Sequence, residues 1–95
     1  MKMSAERWSR MYQILTIIEL MNSKHNPTTT RNITEYLKKN EPSIDINIVN
    51  CSIRHYRKNG LVKRQHKPYL SPFRYILSKK GEAQLSWLEN EKNLI

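Results

Sequence analysis

The sequence predicts a mostly helical α+β domain, with a three-helix core, a β-hairpin and a C-terminal helix in one unit over residues 1–95. Three observations predict it. Apolar residues recur at helical spacing in four separate segments. Gly60 stands where the third of these should stop, in the position that favours a left-handed residue. Two short runs, Leu61–His66 and Phe73–Leu77, then flank a connection that carries Pro68 and Pro72 and reads as the loop of a hairpin.

The first helix is expected from Ala5 to Asn22. Its apolar residues, from Trp8 to Met21, cover well over half its circumference, whereas a surface helix needs a stripe of only about 100°. Such a helix is either central to the core or buries a second face on a partner. Asn26-Pro27 breaks the chain. Thr28-Thr29-Thr30 could form a short strand, and Thr30 is a candidate N-cap for the second helix. Ile33, Tyr36 and Leu37 share one face of that helix. It should end near Asn40, because Pro42 biases Glu41 away from helical geometry.

Ser43 or Asp45 could cap the third helix, which runs to Asn59. Val49, Ile53 and Tyr56 form its inward stripe. Asn47, Cys51, Arg54 and Lys58 fall on the opposite side, with Asn50 and His55 flanking them. That face has donors, acceptors and positive charge but no carboxylate. The hairpin strands are expected at Leu61–His66 and Phe73–Leu77. The last helix starts between Lys79 and Glu82 and runs towards Lys92. Leu85 and Leu88 mark one stripe on it; Ala83, Trp87 and Leu94 mark a second.

Composition excludes several classes. With 2 Gly, no glycine-rich phosphate loop can be built. With 1 Cys, there is no intramolecular disulfide and no Cys-rich zinc site. The longest apolar run, around Ile14–Ile18, is far too short for a membrane span. The N-terminal residues lead into no apolar signal segment, so a cytoplasmic protein is expected. His25, His55 and His66 lie in three different segments with no carboxylate at ligand spacing, so no metal site is expected. No nucleophile–base pair or carboxylate dyad emerges, so neither catalysis nor a cofactor is expected.

The charge is more telling. Seventeen basic and eight acidic residues give a net +9. From Ile46 to Gly81 there are nine Lys or Arg and no Asp or Glu, while the rest of the chain is neutral. A field that concentrated attracts polyanions, although a solvated basic surface has the same composition.

Three short motifs carry a resemblance. Thr30-Arg31-Asn32-Ile33-Thr34-Glu35-Tyr36-Leu37 is similar to the T-x-x-I-x-x-x-L of the second helix of winged helix-turn-helix DNA-binding proteins. Val49 to Val62 resembles their recognition helix followed by L-x-x-x-G-L-V, with Tyr56 in the usual Leu position. Tyr75-Ile76-Leu77-Ser78-Lys79-Lys80-Gly81 resembles the Y-x-L-T-x-x-G that closes the wing. With the first helix, the resemblance covers residues 7–90. The nearest subgroup is the small dimeric regulators of the MarR, PadR and ArsR kind, including compact ones encoded by archaea and their viruses and plasmids. Lys, Asn and Ile make up 29 of 95 residues, a bias of AT-rich genomes; a virus-encoded chain would act in the host-cell cytoplasm. The chain departs from the pattern at the wing tip, where two prolines and Tyr69-Leu70 replace a short Gly- or Asp-containing turn.

The resemblance implies a transcriptional regulator that binds double-stranded DNA sequence-specifically, with residues 46–59 in the major groove. Asn47 and Asn50 suit bidentate contacts to adenine and Arg54 suits guanine, with Cys51 and His55 beside them and Lys58 better placed for phosphate. Capping and solvation account equally well for the asparagines. Thr30 and Arg31 suit a phosphate at the start of the second helix. Lys63, Arg64, Lys67 and Arg74 would set the hairpin, residues 61–77, along the backbone or in the minor groove. Cys51 could also serve as a thiol-reactive sensor, although a lone Cys is more often a small tolerated residue. The surplus apolar surface implies a homodimer through Trp8, Tyr12, Leu15, Trp87 and Leu94, the last helix at about 80–92 included, and hence an inverted-repeat operator. No small-molecule effector site is legible. A winged helix used for protein contact in a transcription or replication complex, or a non-specific nucleic-acid binder, would share the same sequence features.

Overall fold

Four helices and one antiparallel two-stranded hairpin make up the chain, in the order α1 (Ala5–Ser23), α2 (Thr30–Leu37), α3 (Ile46–Lys58), β1 (Val62–Arg64), β2 (Tyr75–Leu77) and α4 (Lys79–Leu94). The structure, a computed structural model, describes residues 5–24, 28–65 and 74–94, the last three by backbone alone. The mostly helical α+β class expected from the sequence is the one observed.

The breadth of α1's apolar surface has an internal cause. This helix packs against α2, α4 and β2. Met11, Ile14, Leu15, Ile17, Ile18 and Met21 are all buried in doing so. Leu15, expected at a dimer interface, is 0% exposed and presents nothing to a second chain. The stripe was wide because α1 is central. Trp8 and Tyr12 pack against the same core, half-buried, with their rings edge to face at 5.2 Å.

At the start of α2 the cap is Thr29, not Thr30: the Thr29 hydroxyl accepts from the Asn32 N–H at 3.1 Å. Thr28 forms no strand of its own. Its carbonyl accepts one bond, from the Tyr75 N–H at 2.9 Å, which ties the segment to β2. Regular α geometry ends at Leu37, short of Asn40, because the following turn tightens. The Lys39 and Asn40 N–H groups each bond three residues back, to Tyr36 and Leu37. α2 packs against α3, and Ile33 and Leu37 of the one share a buried core with Val49 and Ile53 of the other.

Asp45 caps α3, accepting from the Asn47 N–H at 2.9 Å. The helix ends in a Schellman motif. The Gly60 N–H bonds the Arg57 carbonyl and the Leu61 N–H bonds the Tyr56 carbonyl, with Gly60 at φ 79°. Buried Leu61 and Tyr56 supply the apolar contact that accompanies this motif. The chain then enters β1.

Regular pairing in the hairpin is shorter than expected. Val62, Lys63 and Arg64 pair with Leu77, Ile76 and Tyr75, and one bond from Gln65 to Arg74 extends the ladder. The proline-bearing connection lies outside the described residues. Ser78 caps α4, whose Leu85 and Leu88 are buried against the rest of the core. Its second stripe faces solvent at Trp87.

Candidate nucleic-acid interface

The outward face of α3 follows from its inward one. Val49, Ile53 and Tyr56 are locked into the core, so a helix of 3.6 residues per turn must present the intervening positions to solvent. Asn47, Asn50, Cys51, Arg54, His55 and Lys58 are all exposed on this one helix. Its orientation is held at both ends, by the Asp45 cap and by the Gly60 turn. Tyr56 fixes its roll. Burial pushes the Tyr56 phenol above its usual value of 10, while a hydrogen bond with Ser52 and the nearby Arg10 guanidinium partly offset that.

Apart from the Asp45 cap at its start, the charges along α3 are one-signed. No Asp or Glu occurs between Ile46 and Lys58. The ion pairs seen elsewhere join Arg10 to Glu41 at 3.3 Å and Lys38 to Glu35 at 3.8 Å. Among the described residues, none forms an ion pair with Arg54, Arg57 or Lys58. The same cations in the last turn of α3 also complement its dipole, so part of their placement serves the helix itself. Toward that end, the His55 ring and the Asn59 amide are 3.1 Å apart.

The other expected contact residues are spread more widely. Arg31 is exposed and Thr30 half-buried in the first turn of α2. Lys63 and Arg64 are exposed on β1, directly after the Gly60 turn, while Arg74 is half-buried beside β2. Lys67 and the wing tip lie outside the described residues, as does the side chain of Leu94. Arg10, not anticipated, ties α1 to the turn between α2 and α3 through Glu41.

Two exposed apolar residues at the start of α3 were missed from sequence. Ile46 and Ile48, in the first turn of α3, are 43% and 49% exposed. Ile48 is out of phase with Val49, Ile53 and Tyr56, so its exposure follows from the pattern, whereas Ile46 continues that stripe and is exposed at the open end of the helix.

Other chemistry is sparse. No group of three His, Cys, Asp or Glu side chains among the described residues could hold a metal ion. His25 and His66 lie outside that set. An open depression of about 320 Å³ is lined by Glu19, Asn22, Gln65, Ile76, Leu77 and Glu82, to which α3 contributes nothing. No described helix is long and apolar enough to cross a membrane. Comparison of the chain with known family models and with curated proteins finds no match to either.

Proposed function

We propose that the chain is a winged helix-turn-helix protein that binds double-stranded DNA sequence-specifically and acts as a small transcriptional regulator. In this reading α2 and α3 are the helix-turn-helix, the hairpin is the wing, and α3 enters the major groove. One observation carries it: α3 turns Asn47, Asn50, Arg54 and Lys58 to solvent and, beyond its Asp45 cap, has no carboxylate of its own. Asparagine and arginine are the side chains whose paired donors and acceptors match adenine and guanine edges. The basic excess of residues 46–81 supplies the sequence-independent attraction to phosphate. Lys63 continues the positive surface onto the hairpin.

A homodimer completes the reading, now resting on Trp87 of α4 with the outer edges of Trp8 and Tyr12, since Leu15 is enclosed. Two copies of α3 about 34–36 Å apart would meet successive major grooves, so the preferred site is an inverted repeat with half-sites one turn apart.

The test is selection from a random duplex library, followed by a salt titration on the selected duplex, a scrambled duplex and an RNA of equal length. A selected inverted repeat is expected, with about 10³–10⁵-fold loss of affinity between 50 and 200 mM salt for some 6–10 phosphate contacts. Equal retention of all three nucleic acids would indicate a non-specific binder. A flat salt response would remove DNA as the partner and favour a protein-contact role.

A further inference from the structure

The described residues leave three large hydrophobic side chains exposed: Ile46, Ile48 and Trp87. Two of the three are in the first turn of α3. They do not lie side by side as a patch on one flank. Helical geometry puts Ile46 and Ile48 about 160° apart around the axis, with the buried Val49, Ile53 and Tyr56 on the arc between them and Asn47 on the other side. Ile48 shares its flank with Cys51 and His55, three and seven residues on; Ile46 is the open end of the stripe of Val49 and Ile53, with Asn50 and Arg57 along its outer edge. Each isoleucine is thus an apolar group set beside hydrogen-bonding and cationic groups, at the helix end that would enter a groove first.

Resting on the DNA-binding reading, we infer that Ile46 and Ile48 are specificity-determining residues that pack on the 5-methyl groups of thymine in the major groove. The occupant follows from chemistry on both sides. Beyond its Asp45 cap, α3 carries no carboxylate, and among the described residues Arg54, Arg57 and Lys58 form no ion pair, so the helix complements a polyanion. Within the major groove of DNA, the apolar group presented by the bases is the thymine methyl, and it marks A·T and T·A pairs asymmetrically. Asn47 and Asn50 offer bidentate contacts to adenine on the same helix. An isoleucine next to an asparagine would therefore read both members of an A·T pair: adenine through its amide edge and thymine through its methyl.

Replacing thymine by deoxyuridine tests this directly, because the change removes the methyl and leaves every base-pairing group in place. The duplex used is the one selected by the full chain. Uracil at the contacted positions should weaken wild-type binding about fourfold per methyl, the factor expected for one buried carbon. Ile48→Ala and Ile46→Ala should each bind the thymine duplex more weakly and lose sensitivity to uracil at one position. Both sites are exposed and alanine favours helix, so the fold is retained; circular dichroism checks this. Equal wild-type affinity for the two duplexes, or variants that keep full sensitivity to uracil, would overturn the inference and leave DNA binding intact. If the duplexes bind equally and Ile48→Ala turns a dimer into a monomer, the isoleucines cover a second copy of this chain. Failure to retain any duplex would remove the inference together with the reading it rests on.

Discussion

A β-carbon placed on Gly81 would lie 2.0 Å from the carbonyl oxygen of Leu61. The first turn of α4 is therefore seated directly on the start of the hairpin, backbone against backbone. Ser78 completes the joint. Its N–H donates to the Leu61 carbonyl at 3.0 Å, its hydroxyl reaches the Gly60 and Leu61 carbonyls, and its Oγ accepts from the Gly81 N–H. One serine and one glycine thus weld the end of α3, the beginning of β1 and the beginning of α4. The exit direction of α3 is set at this joint, so any ligand read by that helix is read from a fixed platform.

Gly81→Ala should destabilise the protein by on the order of 2 kcal/mol, the overpacking cost of a methyl group with no room. The sign matters. Alanine at an ordinary helical glycine stabilises by about 1 kcal/mol. A lower urea midpoint with an unchanged slope is the expected result; a higher midpoint would show that Leu61 yields easily.

Gly60→Ala isolates a different cost. The nearest atom to an added β-carbon there is Lys80 Cδ at 3.8 Å, so space is ample, but φ is +79°. The loss should be about 1 kcal/mol, the left-handed penalty alone. Gly60→Asn should lose less, because asparagine tolerates that conformation. Urea unfolding of the pair distinguishes a steric origin from a conformational one.

The two glycines also show what was legible in the sequence. Gly60 was readable because a helix end is local: its role depends on residues within one turn. Gly81 could be matched to a motif, but its reason could not be seen, since Leu61 is twenty residues away. The same limit affects α1. Periodicity counted its apolar residues correctly but could not say whether a second chain or the protein's own α2, α4 and β2 covers them, and Leu15 is covered internally. The exposed face of α3 was legible because its buried stripe is clean. Ile46 was not legible as exposed, because it has the phase of that stripe and only its place at the helix end leaves it open.

Tyr56 should make stability fall at alkaline pH. Burial raises its phenol above 10, so the folded state holds that proton more tightly than the unfolded chain. The stabilisation is complete below pH 10 and is lost as pH rises from 10 through the folded value. Tyr56→Phe removes the titrating group and its bond with Ser52. Its stability should decline less steeply than wild type above pH 10, measured by urea unfolding at a series of pH values.

Arg54 and Lys63 should fail differently when truncated. Arg54→Ala is expected to cost about 1–3 kcal/mol on the selected duplex and to relax preference at particular base pairs. Lys63→Ala should weaken all duplexes alike and lower the salt slope by about one. Both side chains are exposed, so neither change should disturb folding. Competition binding with single-base variants of the site checks the pair; a uniform loss for Arg54→Ala would assign it to phosphate.

Trp87→Glu should convert a dimer into a monomer. A standard interface removes about 800 Å² per partner, roughly a tenth of the 7034 Å² accessible surface of this chain. An aromatic side chain supplies at most about 250 Å² of that. Trp87 is 46% exposed and can act only as the centre of a contact, with the outer surfaces of α4 and α1 around it. Placing a carboxylate at that centre leaves a charge without a partner in the dimer but fully solvated in the monomer, so the equilibrium shifts and the fold does not. Sedimentation at micromolar concentration should give a dimer for wild type and a folded monomer for the variant. The monomer would still engage one half-site, so affinity for the inverted repeat should approach that for a single half. A wild-type monomer, or a variant that stays dimeric and binds the full site normally, would refute the arrangement.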